Sequence, residues 1–125
     1  RFKGQLSENS KCLAFANLFP EVNHNELVGW EILHGLDKKH AVIMFKDTQD
    51  HPRIKMGMEI VESYLRDKNI KVVLVDSEGE TVLERMFSLI QFGDYTSYYL
   101  ALLNHVDPFP VTPIDYLKNK LANLS

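Results

Sequence analysis

HAVIMFKDTQDHPRIKMGMEIVESYLRDKNIKVVLVD, residues 40–76, decides the fold. HAVIMF (40–45) and KVVLVD (71–76) are short apolar runs bounded by charged residues. A strand with one wet face alternates apolar and polar residues, whereas an unbroken run reads as a strand buried on both faces. Between the two runs, Ile54, Met58, Val61 and Leu65 recur at spacings of three and four, which predicts an amphipathic helix over 54–65. Asp47 to Pro52 is turn chemistry, and Pro52 suits a first helical turn because its ring pre-sets a helical φ. Strand, helix and strand in that order predict a parallel sheet flanked by helices, an α/β fold.

Outward from this unit, Gln5 to Leu18 holds good helix formers with apolar residues at Leu6, Leu13, Phe15 and Ala16, and Pro20 stops it. VGWEIL (28–33) reads as a weak third strand. Ser77, Glu78 and Gly79 turn the chain into a long helical region from Thr81 to about His105, with Gly93-Asp94 as a possible interruption. DPFPVTP (107–113) carries three prolines and is expected to be irregular. A last helix, 114–124, places Leu117, Leu121 and Leu124 on one side. With two clear strands the sheet is small, and it is expected to be completed by, or to pack on, a partner. The chain opens on RFKGQLSENSK, without an initiator methionine and already in a helical pattern, so it is expected to be a piece of a longer protein.

The totals exclude several classes. A length of 125 residues is one domain's worth, and 45% hydrophobic with 25% charged residues is globular rather than disordered. A net charge of −3 provides no general attraction to nucleic acid or to an anionic membrane surface. No apolar run approaches the ~20 residues that span a bilayer. Cys12 is the only cysteine, so no internal disulfide forms, and a reducing, cytoplasmic setting is expected.

Parallel sheets take ligands at the carboxyl ends of their strands, here Phe45 to Thr48 and Asp76 to Gly79. Neither is a Walker loop or a dinucleotide fingerprint, and no HExxH, paired cysteines or clustered histidines point to a metal. The five histidines, His24, His34, His40, His51 and His105, are scattered and read mostly as surface or capping residues. Glu8 and His24 would lie ~24 Å apart on one continuous helix at ~1.5 Å per residue. Pro20 prevents that helix and lets the chain fold back, so the pair can face one pocket or reach different pockets in an oligomer. A carboxylate and an imidazole are the usual partners for moving protons near neutral pH. Spacing alone equally makes Glu8 a polar residue on a helix, and His24 or Asn25 the opening of the next.

Two blocks carry a resemblance. SENSKCLAFANLFPEVNHNELVGWE (7–31) resembles the start of the C-terminal domain in bifunctional phosphoglucose/phosphomannose isomerases, a branch of the SIS (sugar isomerase) family. FGDYTSYYLALLNHVDPFPVTPIDYLKNKL (92–121) resembles the end of that domain, with its GDxxSxYLA and VDPxPVxxIxxLK patterns. The resemblance covers essentially the whole chain, read as a single domain over 1–125. It implies a three-layer αβα SIS-type fold with a small parallel sheet, an upstream SIS domain in the same protein, and a homodimer.

It further implies that hexose 6-phosphates are the substrates, glucose 6-phosphate and mannose 6-phosphate being interconverted with fructose 6-phosphate, with no cofactor or metal. By residue, Glu8 of the ENxK element matches the base that moves a proton between C1 and C2. His24 of PExNHNE matches the histidine that assists ring opening from the neighbouring subunit, and Lys118 of IxxLK matches a lysine of the active site. The phosphate-gripping serine and threonine loops of the family belong to the upstream domain. The alternative is a non-catalytic sugar-phosphate-binding or dimerisation SIS module. An amidotransferase-type sugar isomerase lacks the DPxPVxxIxxLK tail. Tyr95, Tyr98 and Tyr99 are expected to pack rather than to stack on substrate, and Trp30 to lie in the core or an interface.

Overall fold

In the computed structural model, residues 1–31 and 39–123 are described. They comprise α1 (Phe2–Glu8), a 3-10 turn (Glu21–Asn23), α2 (Glu26–Gly29), β1 (Ala41–Lys46), α3 (Pro52–Asp67), β2 (Lys71–Asp76), α4 (Val82–Leu103) and α5 (Thr112–Ala122). They group into two units, one of Arg1–Phe15 with Ile90–Ser125 and one of Ala16–Leu89.

The second unit is built on the predicted strand–helix–strand segment. β1 and β2 pair in parallel, Ala41 opposite Lys71 through Lys46 opposite Asp76. That register puts Val42, Met44, Val72 and Leu74 on one face of the sheet, because successive side chains alternate and paired residues point the same way. α3 supplies Met58, Val61 and Leu65 to the same cluster, and Ile70 joins it from the turn before β2. Met44, Val72 and these four are buried, and Phe19, Leu27, Trp30, Ile54 and Tyr64 pack around them. Only one face of the pair is covered this way. Ile43, Phe45, Val73 and Val75 on the other face are half-buried, although the unbroken apolar runs predict burial on both faces.

Local chemistry explains the element boundaries. Pro52 occupies the first turn of α3, and the His51 ring caps the helix, its Nδ1 accepting from the Arg53 N–H at 3.2 Å. At the other end Asn69 adopts a left-handed φ of 61°, which turns the chain toward β2. α4 opens with a capping box. The Thr81 hydroxyl accepts from the Glu84 N–H, while the Glu84 carboxylate accepts from the Thr81 and Glu80 N–H groups. Gly79, at φ 130°, makes the preceding turn in a conformation that L side chains rarely adopt.

Three expectations are corrected. The first helix ends at Glu8, not Leu18, because Lys11 takes a left-handed φ of 56° and the Cys12 N–H bonds the Leu6 carbonyl, closing the chain on itself. Residues 11–18 carry no regular structure. VGWEIL does not begin a strand: Val28 and Gly29 end α2 and Trp30 turns after it, while Ile32 and Leu33, like His34 and Leu124, lie outside the described residues. Gly93-Asp94 does not interrupt α4, which is continuous from Val82 to Leu103.

Candidate functional site

The first unit explains much of the GDxxSxYLA pattern, because its residues face α1 and the SENSK turn. Gly93 is buried, and a Cβ there would lie 2.9 Å from the Phe2 ring; only glycine lets α1 come that close. Asp94 accepts from the Arg1 guanidinium at 3.0 and 3.1 Å and from the Gln5 side-chain amide. These bonds, Gln5 first and Arg1 second, hold the Asp94 carboxyl below the usual carboxylate range. Ser97, fully buried, accepts from the Asn9 side-chain amide at 3.0 Å and donates to the Asp94 carbonyl at 2.9 Å. Its carbonyl accepts the Ser10 hydroxyl at 2.7 Å, and Ser10 is itself only 1% exposed. Ala101, one turn further, is fully buried.

Glu8 stands on this base as the last residue of α1, with its side chain exposed. Among the described residues its carboxylate has no hydrogen-bond or ion-pair partner, while its neighbours Asn9, Ser10 and Lys11 are all tied down. A carboxylate free of partners, on a backbone that is not free, can reach an external proton donor from a set direction.

Lys118 lies exposed on α5, in the same unit. The irregular segment that feeds α5 is 107–111. There the Asp107 carboxylate accepts the Phe109 N–H at 3.0 Å, and Pro113 sits in the first turn of the helix. His24 belongs to the other unit, exposed between the 3-10 turn and α2, with Asn25 at the N-cap of α2. Glu8 and Lys118 are therefore carried by one unit and His24 by the other. Tyr99 contacts two other rings, with Tyr95 stacked on it at 6.2 Å and Tyr98 edge-on to it at 5.8 Å.

The carboxyl ends of β1 and β2 are filled by the chain's own side chains. The Asp47 carboxylate accepts the Ser77 hydroxyl at 2.6 Å, the Arg85 Nε at 2.8 Å and the Gln49 N–H at 2.8 Å. Arg85 is 5% exposed and also donates to the Glu80 carbonyl at 2.9 Å. The Ser77 bond, then the Gln49 N–H and the Arg85 guanidinium, keep the Asp47 carboxyl below its ordinary value. Hydrogen bonds from Thr81 and Glu80 do the same for Glu84. Ligands of open parallel sheets gather at such ends, but here the donors and acceptors are already matched.

Asn9, Ser10, Asp94, Ser97 and Arg85 escape the reading of single residues. For the first four the signal is the clustering of small polar residues inside otherwise helical segments, which names no partner, and Arg85 reads only as one more charged helix residue. Among the described residues no group of three or more His, Cys, Asp or Glu side chains is placed to hold a metal ion. No helix of the described residues is long and apolar enough to cross a membrane.

A parallel strand–helix–strand unit, together with a helical unit that displays a carboxylate from a locked turn, makes this an α/β protein. Comparison with known families makes this particular: the model for the bacterial phospho-glucose isomerase C-terminal SIS domain matches residues 1–121, and the chain belongs to that family. Relatives include three proteins named bifunctional phosphoglucose/phosphomannose isomerase. The one from Caldicellulosiruptor bescii is 46% identical over 99% of this chain and 37% of its own length. That from Aquifex aeolicus is 36% identical over 97% of this chain and 38% of its own, and that from Thermoplasma volcanium 35% over 98% and 38%. The chain thus spans little more than a third of the curated relatives it matches. No solved structure matches it.

Proposed function

We propose that this chain is the C-terminal SIS domain of a two-domain aldose–ketose isomerase, interconverting glucose 6-phosphate and mannose 6-phosphate with fructose 6-phosphate. The observation that carries the reading is the Glu8 carboxylate, exposed and without a partner among the described residues, on a turn held by Asn9, Ser10 and Lys11. The relatives' names support the substrate class.

In this reading Glu8 removes the proton from C2 of the open-chain aldose, the electron pair forms the cis-enediol, and the same carboxyl returns the proton to C1. A hydroxyl proton passes from O2 to O1, so the reaction balances within one substrate and requires no redox or group-transfer cofactor. Lys118 stabilises negative charge developing on oxygen. His24 assists ring opening, its imidazole suited to accept or donate the ring-hydroxyl proton near pH 7. His24 acts in the active site of the neighbouring subunit of a homodimer, and the upstream SIS domain grips the phosphate. The setting is the cytoplasm.

The test uses the complete isomerase, with residues numbered as here. Glu8→Gln is expected to fold normally, to lose isomerisation, and to lose exchange of the C2 proton with deuterated solvent. Retained exchange in the folded variant refutes the base assignment. A complete wild-type protein without turnover on any hexose 6-phosphate refutes the isomerase reading and favours a sugar-phosphate-binding or dimerisation module.

A further inference from the structure

Lys11 closes the SENSK turn, and its side chain is the charged group next in sequence after the Asn9 and Ser10 anchors. Its ammonium donates to three backbone carbonyls: Glu8 at 2.5 Å, Pro110 at 2.7 Å and Pro108 at 3.3 Å. An ammonium has three N–H donors and no acceptor, so these three oxygens use it fully. The acceptors come from two places far apart in sequence. One is the last residue of α1, and the other two flank Phe109 in the segment that leads into α5.

The chemistry of that segment explains why its carbonyls are available. Prolines at 108 and 110 lack N–H groups and keep 107–111 out of helix and sheet, so their carbonyls join no ladder. Lys11 holds a left-handed φ of 56°, a conformation uncommon for a long side chain and one maintained where surrounding bonds over-determine it. The Cys12 N–H to Leu6 carbonyl bond, 3.1 Å, closes the same turn from the other side.

We infer that Lys11 is a positioning residue for the isomerisation: its ammonium joins the turn bearing Glu8 to the Pro108–Pro110 segment, and so sets the base relative to the start of the helix bearing Lys118. This rests on the reading of Glu8 as the base. Lys11 does not touch the reacting atoms. It fixes the backbone from which Glu8 projects, and a misplacement of the order of 1 Å is enough to slow a positioned proton transfer by about 10²-fold.

The experiment is steady-state kinetics of the complete isomerase carrying Lys11→Met, Lys11→Arg or Glu8→Gln, each checked by circular dichroism and thermal melting. Lys11→Met keeps the apolar stem and removes the donors. It is expected to lower kcat for fructose 6-phosphate by about 10- to 100-fold, with KM changed less than about twofold, since the phosphate grip lies elsewhere in this reading. Lys11→Arg is expected to recover part of the lost kcat, because a cation with donors returns but its planar fork does not match three converging carbonyls.

Wild-type kcat in Lys11→Met, with Glu8→Gln inactive, overturns the inference and leaves Glu8 as the base. A melting temperature lowered in Lys11→Met with kcat intact well below it makes Lys11 structural only, and also overturns it. C2 exchange retained in folded Glu8→Gln removes the base assignment, and the positioning role with it.

Discussion

Replacing Gly93 by alanine sets two opposed effects against each other, and the geometry decides between them. Inside a helix, alanine is favoured over glycine by about 1 kcal/mol, so α4 taken alone predicts a stabilised protein. The added Cβ, however, would stand 2.9 Å from Cδ2 and 3.2 Å from Cγ of Phe2, against an optimum of about 3.5–4.0 Å between carbon atoms. The ring must retreat by about 0.6 Å or more to reach that separation. It is held edge-on to Phe92 at 6.4 Å, and α1 is anchored through Arg1 and Gln5 to Asp94. Overpacking of this kind costs about 1–3 kcal/mol. The net expectation for Gly93→Ala is a loss of about 0–2 kcal/mol, the difference between that cost and the helical gain.

A double-mutant cycle separates the terms. In a Phe2→Ala background the obstacle is gone, and Gly93→Ala should stabilise by about 1 kcal/mol. The assay is denaturant unfolding of the complete protein in all four combinations. Because α1 carries Glu8, kcat should fall in Gly93→Ala and not fall further when it is added to Phe2→Ala. Equal stabilisation by alanine in both backgrounds would refute the close approach of α1 to α4, and with it the explanation of the glycine in GDxxSxYLA.

Other outcomes test the proton chemistry and the charged network. In the complete isomerase, His24→Ala should slow reaction of cyclic glucose 6-phosphate by about 10²-fold or more but affect an open-chain analogue far less; equal losses would rule out ring opening. Mixed dimers of His24→Ala and Glu8→Gln subunits should regain activity, because one mixed site keeps both groups, and failure in proven mixed dimers would place both groups on one chain. Asp47 and Asp94 have folded-state values below their ordinary ones, so the stability they contribute is present above about pH 4 and is lost as pH falls through the lowered values. Asp47→Asn should therefore melt earlier than wild type at pH 7 and lose less on acidification to pH 3. Parallel melting curves across that range would show that the Asp47 bonds to Ser77 and Arg85 carry no pH-linked stability.

The sequence by itself determined the elements whose signals are local. Apolar runs at 40–45 and 71–76, a three-and-four period between them, and Pro52 after a turn specify β1, α3 and β2, because burial pattern and backbone restriction act over a few residues. It also carried the two motif blocks that placed the chain in its family. The tertiary structure alone decided where α1 stops and what stands behind Glu8. Asn9 and Ser10 meet Ser97 across 88 and 87 residues, and Lys11 meets Pro110 across 99. A hydrogen bond between groups so far apart leaves no periodicity in either segment. Each residue reads as an ordinary polar position beside a helix until the partner is in place. Helix propensity continues past Glu8, but it is worth only tenths of a kcal/mol per residue. Bonds from Asn9, Ser10 and Lys11 to a buried serine and to two proline carbonyls outweigh it, and the chain turns there.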